Sequence, residues 1–159
     1  MTPAVNVLNK NKVSYTLHEY SHDTASESYG LEAVEKLGIH ANRVFKTLVV
    51  SLTNKELAKE LAVAVIPVSS KLSMKNIAKE CGAKKAIMAE PNEVSRVTGY
   101  VLGGVSPLGQ KRVLKTVIDS SAMDLTGIFI SAGRRGLEIE MSAEDLAQLT
   151  RANFYEVSQ

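Results

Sequence analysis

Apolar and polar positions alternate along residues 13–20. Val13, Tyr15 and Leu17 fall on one side, and Ser14, Thr16 and His18 on the other. A period of two predicts a half-buried strand. Upstream, Thr2 followed by Pro3 marks the start of a short helix running to about Asn9. Residues 21–28 are polar and read as a loop. Leu31, Val34 and Leu37 then recur at helical spacing ahead of Gly38, which predicts a helix over 29–37 that stops at the glycine.

The two longest apolar runs, 44–52 and 61–68, read as central strands because they stay apolar on consecutive positions. A charged connection, 54–60, suggests that they pair as a hairpin, and Pro67 turns the end of the second toward an edge or a bend. Ser73 predicts a capped helix to Cys81, with Leu72 and Ile77 spaced as a hydrophobic staple and Gly82 as its stop. A short strand over 85–89 follows, then a helix from Pro91 to near Gly99 and an extended piece over 100–102. Strands are expected at 116–119, 127–131 and 136–141, the last two joined by a tight turn over 132–135. Ser142, with Asp145 three residues on, fits a final capped helix to about Arg151, and 154–157 reads as a closing strand. Strands outnumber helices and come in hairpins. The pattern therefore predicts one α+β domain over 1–159, a mixed, mostly antiparallel, barrel-like sheet surrounded by helices.

Composition narrows the setting. The chain has 159 residues, 45% of them apolar and 23% charged, which is ordinary for a water-soluble globular domain. Cys81 is the only cysteine, so no internal disulfide or CxxC metal knuckle can form. No apolar run nears the roughly 20 residues of a membrane helix, and no signal pattern opens the chain. A cytoplasmic protein without membrane contact is expected. The net charge of +2 is mild, so placement of the cations matters more than their sum. Lys71, Lys75 and Lys79 recur at helical spacing, and Lys111 and Arg112 close a glycine-rich stretch. Solvated faces and a polyanion-binding surface both fit these groups.

That stretch, 98–112, places Gly99, Gly103, Gly104 and Gly109 around Pro107. Glycines admit positive φ and close backbone approach, and proline stiffens the loop. Tight turns and an anion grip are both open readings. The loop is neither a Walker A motif nor a dinucleotide fingerprint. Lys46 stands at the entry of an otherwise apolar strand. It is either an edge lysine reaching for water or a cation aimed into a cleft, where it would suit a phosphate or a developing oxyanion. His18, His22 and His40 lack ligand spacing, so no metal and no cofactor are expected. No Gly-x-Ser-x-Gly elbow appears.

These residues, in this order, resemble the YbaK family of aminoacyl-tRNA deacylases, relatives of the editing domain of bacterial prolyl-tRNA synthetase. The resemblance runs the length of the chain. It rests on Val-Phe-Lys-Thr-Leu-Val-Val around Lys46, on Leu-Ala-Val-Ala-Val-Ile-Pro-Val, and most of all on Thr-Gly-Tyr-Val-Leu-Gly-Gly-Val-Ser-Pro-Leu-Gly-Gln-Lys. The family's Gly-x-x-x-Pro signature falls on Gly103 and Pro107, and its strand lysine on Lys46. Its early tyrosine falls on Tyr20, and its late serine–glycine segment on 131–136, with an acidic residue at Glu138. The resemblance implies removal of cysteine from mischarged Cys-tRNA(Pro), with attack by the substrate's own thiol. It implies Lys46, Gly103, Gly104 and Pro107 as catalytic residues, and Tyr20, Thr47, Ser131, Gly133 and Glu138 as substrate-binding ones. It also implies mischarged tRNA, held by Lys71, Lys75, Lys79, Lys111 and Arg112, and prolyl-tRNA synthetase as partners. An Ala-tRNA(Pro) hydrolase and a non-catalytic oligonucleotide-binding module are the alternatives.

Overall fold

A computed structural model describes residues 1–25, 29–54 and 59–159. The parts of the polar loop and of the charged connection that fall on 26–28 and 55–58 lie outside the described residues. Helix α1 (Pro3–Lys10) starts where Thr2 caps it, its hydroxyl accepting from the Val5 N–H at 3.3 Å. Strand β1 (Thr16–Glu19) is shorter than expected, but Val13, Tyr15 and Leu17 do pack on the core. Helix α2 (Tyr29–Leu37) ends at Gly38, whose φ is 66°. Its apolar spacing misleads about its buried side: Leu31 is half exposed, while Ala33 and Glu32 are buried.

Strands β2 (Phe45–Thr53) and β3 (Lys59–Pro67) form the expected antiparallel hairpin, in register from Phe45 opposite Pro67 to Thr53 opposite Lys59. After α3 (Met74–Glu80), β4 (Lys85–Met88) and α4 (Pro91–Thr98), strand β5 (Lys115–Asp119) runs parallel to β3. Strands β6 (Ile128–Arg134) and β7 (Leu137–Met141) pair antiparallel, followed by α5 (Ala143–Thr150) and β8 (Asn153–Tyr155). The stretch after Gly99 is not extended: residues 101–104 turn, with the Gly104 N–H donating to the Val101 carbonyl at 3.0 Å. The expected 132–135 turn is also displaced. A bulge between Ser131 and Arg134 lengthens β6, and the chain reverses at Arg135–Gly136 instead.

The architecture is α+β with mixed sheets that do not close into a barrel. A five-stranded sheet has the order β4-β2-β3-β5-β8, and a three-stranded antiparallel sheet the order β1-β7-β6. Successive side chains of β2 and β3 serve two cores, which explains their unbroken apolar runs. Val49, Val63 and Val65 face the larger core, shared with α1, α4, α5 and the three-stranded sheet. Val50, Leu52, Ala64 and Ile66 face the second, beneath α3. Asp119 ties the C-terminal segment to this frame: it is 2% exposed and accepts from the Val157 and Ser158 N–H groups at 3.0 and 2.9 Å.

Candidate functional site

Strand β4 pairs with β2 only from Val50 to Thr53, so the Phe45–Leu48 half of β2 runs beyond it. At that end the two sheets meet, with Val44 bridged to Phe129. A cavity of about 500 Å³ opens there, within the range of small-ligand sites. Lys46, Thr47, Tyr20, Gly103, Ser131 and Glu138 line it. The hairpin β6–β7 supplies two of these, since Ser131 stands opposite Glu138 across the ladder. Residues from Tyr20 to Glu138 are thus brought together.

Lys46 lies in the cleft, half-buried, and burial lowers its pKa below the ordinary lysine value. It sits on the part of β2 that β4 leaves uncovered, which reconciles its place in an internal strand with its charge. Glu138 is 7% exposed. Burial pushes its carboxyl up to about 8, so it is mostly protonated at neutral pH. Among the described residues its Oε2 has no hydrogen-bond partner, and neither has Thr47 Oγ1 in the same cavity. Buried polar atoms are normally paired, and each unpaired one costs stability. Both atoms belong to residues that line the cavity. Ser131 Oγ accepts from the Gly133 N–H at 3.1 Å, a bond that uses a lone pair and not its proton. Burial likewise raises the pKa of Tyr20, whose N–H donates to the Gly136 carbonyl at 2.9 Å.

The glycine loop divides between lining and support. Gly103 lines the cavity at φ 94°, a conformation that favours glycine. Gly104 does not line it. A Cβ there would stand 2.9 Å from Arg134 Cα, so its bareness lets the loop lie against the backbone of β6. Its N–H is spent inside the turn. Pro107 is buried outside the lining, within a loop braced by Tyr100, whose hydroxyl donates to the Leu108 carbonyl at 2.6 Å. Gly133 also lies outside the lining and packs on Tyr100 and Thr2. The tight-turn reading holds for this loop, and of its glycines Gly103 lines the cavity.

The basic residues spread over the surface. Lys71, Lys75 and Lys79 are exposed on α3 and just before it. Lys111 and Arg112 are exposed, and Arg112 flanks a second cleft of about 220 Å³ with Lys59 at the start of β3 and Lys115 at the start of β5. Leu61 of that cleft is five residues along β3 from Ile66, the partner of Lys46, or about 17 Å. These cations belong outside the cavity.

Several cavity residues were not expected at a site. Gly30 and Leu31 of α2 form one wall, and Arg134 and Arg135 stand at the hairpin turn. Glu32 beneath them is buried against His22 and Arg135, partners 10 and 103 positions away. Among the described residues, no group of three His, Cys, Asp or Glu side chains could hold a metal ion, and no helix is long and apolar enough to cross a membrane.

Fold and site together define an α+β domain whose cavity brings a lysine and a buried carboxyl together. Residues 26–149 match the aminoacyl-tRNA editing domain, and the chain belongs to that family. It is 37% identical over 158 residues to an Enterococcus faecalis protein named "Putative Cys-tRNA(Pro)/Cys-tRNA(Cys) deacylase EbsC", covering 99% of this chain and 93% of that one. It is 28% identical over 119 residues to the uncharacterised YwhH of Bacillus subtilis, covering 75% and 73%. Among solved structures, one described as a "putative trans-editing enzyme for prolyl tRNA synthetase" superposes with a TM-score of 0.83 over 99% of this chain and 95% of its own. At 19% identity that likeness speaks for the fold alone.

Proposed function

We propose that this protein deacylates mischarged Cys-tRNA(Pro), acting in trans to protect the fidelity of translation. The name of the Enterococcus relative supports the substrate, and the family supports the reaction class. The observation that carries the reading is the pairing of Lys46 with the unpartnered Glu138 Oε2 in one cavity. An aminoacyl ester brings an α-ammonium group and a carbonyl that becomes an oxyanion. Glu138 ionises to receive the first, and Lys46 stabilises the second. Tyr20, Thr47 and Ser131 shape the pocket around the side chain. Gly103 lets the loop approach the acyl group closely, while Gly104, Pro107 and Gly133 hold that loop against the hairpin.

Among the described residues, the cavity lining has a serine but neither histidine nor cysteine to activate or replace it. The substrate supplies the nucleophile. Its thiol loses a proton, the sulfur bonds to the carbonyl carbon, and the ester C–O bond breaks. The proton ends on the departing ribose oxygen and the cysteine leaves as a cyclic thiolactone. The protein's contribution is orientation and charge stabilisation. The exposed Lys71, Lys75, Lys79, Lys111 and Arg112 track the phosphate backbone of the tRNA, a salt-sensitive contact that reads shape and charge. Prolyl-tRNA synthetase supplies the tRNA identity that such contacts do not read.

The test is single-turnover deacylation of Cys-tRNA(Pro) by the wild type and by Lys46→Ala. The expected loss is about 100–1000-fold in rate, the usual effect of removing one oxyanion donor. A variant within threefold of the wild type removes Lys46 from the chemistry.

A further inference from the structure

Glu32 is a buried acid that the reaction described above does not use. It is 4% exposed and sits in the first turn of α2, directly after the cavity-lining Gly30 and Leu31. Its Oε1 lies 2.8 Å from His22 Nδ1 and accepts from Arg135 Nη2 at 3.1 Å, and its Oε2 accepts from the Asp23 N–H at 2.9 Å. Burial pushes this carboxyl up, but the hydrogen bonds from His22 and the Asp23 N–H, with the charges of His22 and Arg135, outweigh it and hold it ionised.

Those three partners come from two other pieces of chain. His22 and Asp23 follow β1, which ends beside Tyr20. Arg135 forms the β6–β7 turn, between Ser131 and Glu138. Each piece supplies one wall of the cavity, and Glu32 joins all three walls. The seat of α2 is also tight. A Cβ on Gly30 would overlap the Val68 side chain, so the helix lies on that residue with no room to spare.

We infer that Glu32 is a positioning residue that clamps α2 onto the cavity and keeps the substrate-bound shape populated before substrate arrives. The role rests on the deacylase reading for its substrate. A wall that is in place only one-tenth of the time weakens apparent binding tenfold, without changing the chemistry of molecules that do bind.

The experiment measures KM and kcat for Cys-tRNA(Pro) separately, together with amide hydrogen exchange of α2, well below the melting temperature. Glu32→Ala is expected to raise KM about tenfold, to change kcat by less than threefold, and to speed exchange over 29–37. Gly30→Ala pushes the same helix off Val68 by a different route and must move KM and exchange in the same direction. Glu32→Gln keeps the volume and one acceptor, so it should recover part of the loss, and it serves if the alanine variant fails to fold. Loss of folded protein alone would lower the active fraction and leave KM unchanged, which would overturn the role. An active wild type with variants of unchanged KM and unchanged exchange overturns the clamp alone. A wild type that releases nothing from Cys-tRNA(Pro) overturns the deacylase reading and the clamp's place in it.

Discussion

Replacing Glu138 with glutamine isolates the feature on which the site turns. In the folded protein burial holds this carboxyl near 8, while in the unfolded chain it titrates near its ordinary 4.5. Between those values the unfolded chain releases a proton that the folded protein keeps. Stability conferred by the neutral acid is therefore fully present below 4.5 and is lost as pH rises through 8, at up to about 1.4 kcal/mol per pH unit. Over that span the ceiling is about 5 kcal/mol, and water entering the cavity will reduce it. Glutamine cannot ionise, but it leaves a buried amide with incomplete bonding, a cost of about 1–3 kcal/mol that does not vary with pH. Urea unfolding of both proteins from pH 5 to 9 gives the difference, in which the other titrating groups cancel. The variant should begin less stable at pH 5 and gain at least about 2 kcal/mol relative to the wild type by pH 8.5. A difference that stays flat across this range would refute a neutral, unpartnered Glu138.

Asp119 titrates in the opposite sense. Burial raises its pKa, but hydrogen bonds from Ser121 and from the Val157 and Ser158 N–H groups outweigh it and hold the pKa below 3.8. Its stabilisation is present above that value and is lost as pH falls below it, so Asp119→Ala should cost about 3 kcal/mol at pH 7 and less in acid, read by urea unfolding. Reversing Lys75 and Lys79 to glutamate should raise KM for Cys-tRNA(Pro) at least tenfold at low salt and flatten its salt dependence, while a small cysteinyl ester is cleaved as before. An unchanged salt slope would take α3 out of the tRNA surface.

Much of the local structure was legible because its determinants are local. Thr2, Ser73 and Ser142 each accept from a backbone N–H three residues on, as their side chains and spacing suggested. The β2–β3 hairpin followed from two apolar runs of matched length. Parallel pairing of β5 with β3 was not legible, because strand direction across a sheet depends on connections that side-chain alternation does not encode. The hairpin turn moved because a bulge uses residues that a regular ladder would pair. At the site, the family resemblance led to Lys46, Gly103 and Glu138, but it could not distinguish Gly103, which faces the cavity, from Gly104, which supports the wall. Glu32 stayed hidden because an acid in a short helix looks solvated until its distant partners are in place.

The central claim is that the substrate's own thiol performs the attack in a cavity that supplies only charge and orientation. Single-turnover rates on Cys-tRNA(Pro) and Ser-tRNA(Pro), which differ by one atom, test it directly. The account predicts rapid release from the cysteinyl substrate with a thiolactone as first product, and release from the seryl substrate slower by at least about 100-fold, or about 2.7 kcal/mol in barrier. Equal rates on the two, with free amino acid as the first product, would contradict it.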